Sequence, residues 1–219
     1  MEDHDSRRDR YDVSGNIEAE YVDADQTVLV NKLGITTLAE LQACEEHALV
    51  DAYEKLLGEV GRNTPLSCDL LRYIHQTIFG ELYAWAGRWR TVWIKKPGVT
   101  WPPPDFLDQT MQEFEQEVLK KYRPQSLVDD QAFCNAAAEI QGEFLVIHPF
   151  REGNARTVKL ACDLLALQSD RPLLRYDESA AGREAYIAAA KAAFKHQYEP
   201  LARIAAEALD RGGQALPDA

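Results

Sequence analysis

A mainly α-helical domain with one short β-hairpin is the fold class this sequence predicts. Apolar residues recur at three- and four-residue spacing in successive segments from Leu38 to Leu209. One stretch, Thr91 to Trp101, gathers β-branched and aromatic residues around a Pro97-Gly98 turn. Two strands cannot form a stable sheet by themselves, so that hairpin has to lie on helices.

The elements follow in order. Residues 1–30 carry nine Asp or Glu against three Arg as far as residue 25, with little periodicity. They read as an acidic, partly disordered arm whose end is anchored by Val28, Leu29 and Val30. The domain proper is placed at residues 31–219. Leu41, Cys44, Ala48, Ala52 and Leu56 line one face of a first helix from Leu38 to Leu57, with Gly58 as its stop. Ser67 is placed to cap a second helix, whose stripe is Leu70, Ile74 and Ile78 and whose end is Gly80. Thr91-Val92-Trp93-Ile94 and Val99-Thr100-Trp101 are the expected strands, and Pro102, Pro103 and Pro104 forbid extension. Leu107, Met111, Phe114, Val118 and Tyr122 mark a third helix, closed by Pro124. Phe133, Ala137, Ile140, Phe144 and Ile147 mark a fourth, stopped at His148-Pro149. Leu160 to Leu167 is apolar nearly all round, the mark of a central buried helix. Residues 183–209 are Ala-rich and helical, interrupted near Pro200.

Composition bounds the function. With 219 residues, 46% of them hydrophobic, the chain can bury a core without disulfides or metal staples. Cys44, Cys68, Cys134 and Cys162 lie far apart, three of them in helical apolar patterns, which reads as reduced thiols rather than bridges or a zinc site. No apolar run reaches the ~18 residues of a membrane span, and the charged start MEDHDSRRDRYD is no secretory signal. The expected location is the cytoplasm, or export as an effector without such a signal. A net charge of -12 argues against nucleic acid as a partner, though not against a small local anion pocket.

The chemistry is concentrated in His148-Pro149-Phe150-Arg151-Glu152-Gly153-Asn154-Ala155-Arg156-Thr157-Val158-Lys159, a polar loop between two apolar helices. Its second half opens the buried helix, where unpaired N–H groups and the helix dipole favour an anion. Gly153 permits close backbone approach, and Arg156 and Lys159 add cationic donors. His148 titrates near neutrality and ends the preceding helix. Glu152 is suited to a Mg²⁺ that bridges phosphates. Base, carboxylate, anion cradle and cations within one short loop point to phosphoryl or nucleotidyl transfer. The alternative is that these groups merely cap helices and pair with each other. Trp85, Trp89, Trp93 and Trp101 read as packing, His75 as a structural histidine, His47 as a solvated one, and Tyr186 as a candidate for lining a base pocket.

This stretch resembles the signature of Fic proteins, H-x-F-x-[D/E]-G-N-G-R-x-x-R, at His148, Phe150, Glu152, Gly153, Asn154 and Arg156. The likeness extends to Asn31-Lys32-Leu33-Gly34-Ile35 before an acidic helix, Ile74-His75 through Phe79, Tyr83 to Arg88, and Arg90-Thr91-Val92. The resemblance implies a Fic-type helical domain with a β-hairpin flap over the active site. It implies transfer of AMP from ATP to a hydroxyl of a target protein. His148 would be the general base, and Glu152 would hold Mg²⁺ (or Mn²⁺). Gly153, Asn154 and Ala155 would form the anion nest, with Arg156 on the phosphates and Phe150 packed in the core. Lys96 and Gly98 would lie where the flap approaches the nucleotide, and the flap, Thr91 to Trp101, would hold the target by strand pairing.

Two positions depart from the signature. Ala155 replaces a Gly, which strains the nest if the family's Gly serves left-handed geometry and does little if it serves space. Lys159 replaces an Arg that in the family reaches the γ-phosphate or an inhibitory Glu, and it lacks the planar fork. Alternatives within the resemblance are a Doc-like phosphotransferase, a transferase of another nucleotide, and a degenerate Fic fold that only binds. The family's inhibitory pattern [S/T]-x-x-x-E-[G/N] is not completed at Thr36–Glu40, where Leu41 follows, nor at Glu207, where Arg203 stands four positions earlier. A separate small antitoxin chain, or no inhibition, is therefore expected.

Overall fold

The computed structural model describes residues 15–96 and 98–214. Among them are seven α-helices: α1 (Leu38–Glu59), α2 (Cys68–Phe79), α3 (Leu107–Glu117), α4 (Asp130–Ile147), α5 (Asn154–Gln168), α6 (Ala180–Ala192) and α7 (Glu199–Gly213). Four of them begin on side-chain caps, with oxygens of Thr37, Ser67, Asp129 and Ser179 accepting from backbone N–H groups one turn on. The centre is α4, which packs against α5 and α7, while α1 and α2 pack on each other and on α5. Ala136, Ala137, Ile140 and Phe144 of α4 and Val158, Leu160 and Ala161 of α5 have no exposure at all. All four cysteines are free thiols, with Cys134 and Cys162 buried. No helix among the described residues is long and apolar enough to cross a membrane.

The hairpin is shorter and later than expected. Strands β1 (Lys95–Lys96) and β2 (Val99–Thr100) pair antiparallel, Lys95 opposite Thr100 and Lys96 opposite Val99. Thr91-Val92-Trp93-Ile94 is not a strand, because its ladder groups are taken elsewhere. Thr91 N–H donates to Glu18 Oε2 at 2.7 Å, and Val92 O accepts from Arg90 at 2.8 Å. Val92 and Ile94 are buried against the body instead.

Other boundaries moved for local reasons. Gly58 lies inside α1, which runs on to Glu59. The third stripe leaves the α-helix at Val118 and reaches Tyr122 through a 3-10 turn. The break in the Ala-rich segment comes at Lys195 to Tyr198, where His196 has φ 55°, and Pro200 stands in the first turn of α7. There its missing N–H costs nothing.

Of the acidic arm, residues 1–14 lie outside the described residues. From residue 15 the chain is tied to the domain well before Val28. Asn16 donates to Thr91 Oγ1 at 2.9 Å, Glu18 is 5% exposed, and Tyr21 bridges to Leu29. Arg151 donates to Glu18 O at 2.6 Å and to the Tyr21 hydroxyl at 2.7 Å. Asn31 then closes a turn, with its side chain bonded to Leu29 O, Ile35 O and Ile35 N–H.

Candidate active site

His148 is the C-cap of α4. Pro149 forbids another turn, and His148 leaves the helix with φ 53° and ψ 59°, a left-handed conformation unusual for a non-glycine residue. Its N–H donates to Phe144 O at 2.8 Å. Its ring lies 4.2 Å from the Trp101 ring, and the Trp101 indole N–H donates to Leu145 O at 2.9 Å. Nδ1 is 3.4 Å from Leu145 O, a partner that can only accept, which favours the tautomer with the proton on Nδ1 and the lone pair on Nε2. Burial pushes the imidazole down to about 4. The charge of Glu152 and the bond to Leu145 oppose the shift, and Lys96 and Arg90 add to it.

The loop from Pro149 to Gly153 is braced on every side. Phe150 N–H donates to Asn154 Oδ1 and Asn154 Nδ2 donates back to Phe150 O, both at 2.9 Å. The Asn154 side chain is thus spent on the loop, leaving its backbone for a ligand. His75 stacks on Phe150 at 3.8 Å. Its Nε2 donates to Glu152 O at 3.0 Å, and its Nδ1 accepts from Gly87 N–H at 2.8 Å. It is a structural histidine, pushed by burial to about 3. Gly153 caps α5 with φ 78°. The first helical bond runs from Thr157 N–H to Gly153 O, so the N–H groups of Asn154, Ala155 and Arg156 precede the ladder at the positive end of the dipole. Ala155 is helical and is not among the positive-φ residues. The strain considered for that position is absent.

Arg156 pairs with Glu45 of α1 at 2.7 Å and lies 3.7 Å from Glu152, its guanidinium 4.7 Å over the Phe79 ring. Glu45 also accepts from the Tyr83 hydroxyl at 2.7 Å. Gln42, Glu45, Tyr83, Glu152, Arg156 and Arg183 border a cavity of about 720 Å³. On the other side of the α5 start, Ala155, Lys159, Tyr176, Tyr186, Arg183 and Arg211 border a second of about 480 Å³. Arg183, at the start of α6, borders both. Lys159 Nζ is held 4.2 Å from the Tyr176 ring and 4.1 Å from the Tyr186 ring, and burial lowers its pKa. Both tyrosine hydroxyls donate to Gln141 Oε1. Lys96 and Gly98 are exposed at the hairpin tip, with Gly98 at φ 78° in the turn.

Glu45, Arg90 and Arg183 were not singled out from the sequence. Glu45 carried a signal. It stands four residues after Leu41 and seven before Ala52, a carboxylate on the apolar face of α1.

The buried His75 and the partly buried His148 give stability a pH dependence. Both are neutral when folded and take up a proton near 6.5 when unfolded, so the stability present above 6.5 is lost as pH falls toward about 4 and about 3. Asp163, pushed up to about 6 by burial inside α5, acts oppositely, its stability being lost as pH rises through 6. From pH 6 to 4 the histidines outnumber it, and acidification destabilises. Urea unfolding across this range should show His148→Asn losing one proton's dependence, ~1.4 kcal/mol per pH unit.

Comparisons with known proteins give concordant results. Residues 65–166 match the model of the Fic/DOC family. The chain is 31% identical over 140 residues to protein adenylyltransferase VbhT of Bartonella schoenbuchensis, covering 64% of this chain and 29% of that protein. It is 30% identical over 165 residues to a protein adenylyltransferase of Bartonella henselae, covering 67% and 29%. The chain thus spans less than a third of the length of these two relatives. The N-terminal Fic domain of Bep8, a VirB-translocated effector of Bartonella sp. 1-1C, has TM-score 0.75 at 21% identity, over 90% of this chain and 98% of that one. BepC of Bartonella tribocorum, solved with AMPPNP, has TM-score 0.68 at 20% identity, over 88% and 97%. At these identities the likeness is one of fold.

Proposed function

We propose that this chain, whose residues 65–166 match the Fic/DOC family model, moves AMP from ATP to a Ser, Thr or Tyr hydroxyl of a target protein. The observation that carries this reading is a partly buried imidazole packed on Trp101 with Nδ1 facing Leu145 O, one short loop away from a helix N-terminus rich in cations. The names of the curated relatives support it.

In the reaction the hydroxyl oxygen bonds to the α-phosphorus, the bond from that phosphorus to the α,β-bridging oxygen breaks, and pyrophosphate leaves. The hydroxyl proton goes to His148 Nε2. Backbone N–H groups of Asn154 and Ala155 and the guanidinium of Arg156 carry phosphate charge. For Arg156 this means sharing its fork between Glu45 and the nucleotide. Glu152 fits Mg²⁺ (or Mn²⁺). It offers a hard, half-exposed carboxylate beside the anion cradle, and among the described residues no group of three or more His, Cys, Asp and Glu forms a protein cage. A lone carboxylate with substrate phosphates is how Mg²⁺ is commonly held, and the bound ion supplies charge neutralisation. Tyr186 and Lys159 border the second cavity, where an end of the nucleotide or an inhibitory carboxylate from a separate antitoxin chain would sit. The target docks on the open edges of β1 and β2, whose exposed residues are Lys95, Lys96 and Thr100.

Transfer from α-labelled against γ-labelled ATP, with magnesium and with chelator, tests this. Label on protein from the α-position alone, lost in chelator, is expected. Label from the γ-position would make the chain a phosphotransferase, and none from either, with ATP still bound, a binding module.

A further inference from the structure

A buried cation sits where the hairpin leaves and rejoins the helical body. Arg90 is 2% exposed, and its guanidinium goes to carbonyls rather than to a carboxylate. Nε donates to His148 O at 2.8 Å, Nη1 to Val92 O at 2.8 Å and Nη2 to Pro102 O at 2.7 Å. The Arg90 backbone N–H donates to Pro149 O at 2.8 Å. Burying a guanidinium is costly, and a long apolar side chain would fill the space without that cost. What Arg90 supplies beyond filling is a rigid planar fork. The fork joins three separate stretches: the hairpin's entry at Val92, its exit at Pro102, and the turn at His148.

The turn needs such a hold. A non-glycine residue at φ 53° keeps that conformation only where its surroundings dictate it. Here the dictating contacts are the Arg90 Nε bond to His148 O, the bond from His148 N–H to Phe144 O, and the Trp101 ring over the imidazole. Two of the three come from the hairpin's roots. We propose that Arg90 is a positioning residue for His148, its fork locking the left-handed turn to both roots of the hairpin so that setting the hairpin and placing the imidazole are one event. A target strand that settles the hairpin thereby also settles the base. The inference rests on the reading of His148 as the general base.

Arg90→Lys keeps the charge and loses the fork. Displacing a reacting group by 1 Å costs ~10²-fold, so kcat should fall by about 100-fold while the Kd for AMPPNP stays within about threefold. A folded Arg90→Lys protein with kcat within about threefold of wild type overturns the proposal, and so does a parallel loss of kcat and nucleotide affinity. Hydrogen exchange on the wild-type chain gives a second reading that does not require the variant to fold. Amides of residues 90–102 and 145–150 should open together, with one urea dependence. Separate openings overturn the coupling. Exchange does not depend on turnover, so a failure there is distinct from a failure of the label-transfer experiment, which would remove the assignment of the reaction.

Discussion

His148→Ala should lower transfer by about 10²–10⁴-fold, the range a positioned base contributes, with AMPPNP affinity within about threefold of wild type. The split follows from where the residue sits. His148 ends α4, its ring is covered by Trp101, and its Nδ1 is committed to Leu145 O. In the proposed reaction phosphate charge falls instead to the start of α5 and to Arg156, which the structure places across the loop from His148. Alanine removes the proton acceptor and leaves the cradle standing. Calorimetry with AMPPNP beside label transfer checks it. A loss of affinity as large as the loss of rate would make His148 a structural prop. The same residue sets the pH profile. An imidazole pushed to about 4 is unprotonated across the neutral range. The acid limb of kcat/KM should therefore lie near 4 and not near 6.5, and an acid limb at 6.5 would mean the free enzyme exposes this ring.

The helices were legible in the sequence because their causes are local. Ser67 caps α2, the Leu70, Ile74 and Ile78 stripe is buried, and Pro149 ends α4, each cause lying on or beside the helix it shapes. The twelve residues from His148 to Lys159 could be read for the same reason. What escaped is held by bonds between distant residues. Residues 16–21 show no periodicity because their partners are Thr91 and Arg151. Thr91 to Ile94 has every β-forming residue and makes no strand, because Glu18 and Arg90 take its backbone groups. Lys159 reads as a free cation for phosphate, yet its ammonium is boxed by two tyrosines that follow it by 17 and 27 residues. A cation so held meets an anion at the rim of the second cavity without the two-pronged geometry of Arg.

Gly153, the cap of α5, and Ala155, in its first turn, should respond differently to substitution. Gly153→Ala is expected to destabilise the fold by about 2–5 kcal/mol, combining ~1–2 kcal/mol for a Cβ in the left-handed region with ~1–3 kcal/mol for overpacking. Gly153 has φ 78°, and a Cβ there would stand 2.2 Å from Phe79 Cε2 and 2.4 Å from its Cζ. Phe79 cannot retreat. It is wholly buried, 4.8 Å from the His75 ring, and it carries the Arg156 guanidinium on its face. Pushing it displaces His75, which braces Glu152 O, and Arg156, the proposed phosphate cation, so transfer should fall with stability. Ala155→Gly, two residues on, meets none of this. Ala155 is already helical, so the change should cost no more than ~1 kcal/mol and leave transfer within about threefold. Urea melts and label transfer on both variants decide the matter. If Ala155→Gly instead raised transfer by about tenfold or more, its methyl group would be crowding the nucleotide, and the departure from the family signature would be a brake on the enzyme. With a helical backbone at 155 and the left-handed one at 153, the expected order is loss at Gly153 and indifference at Ala155.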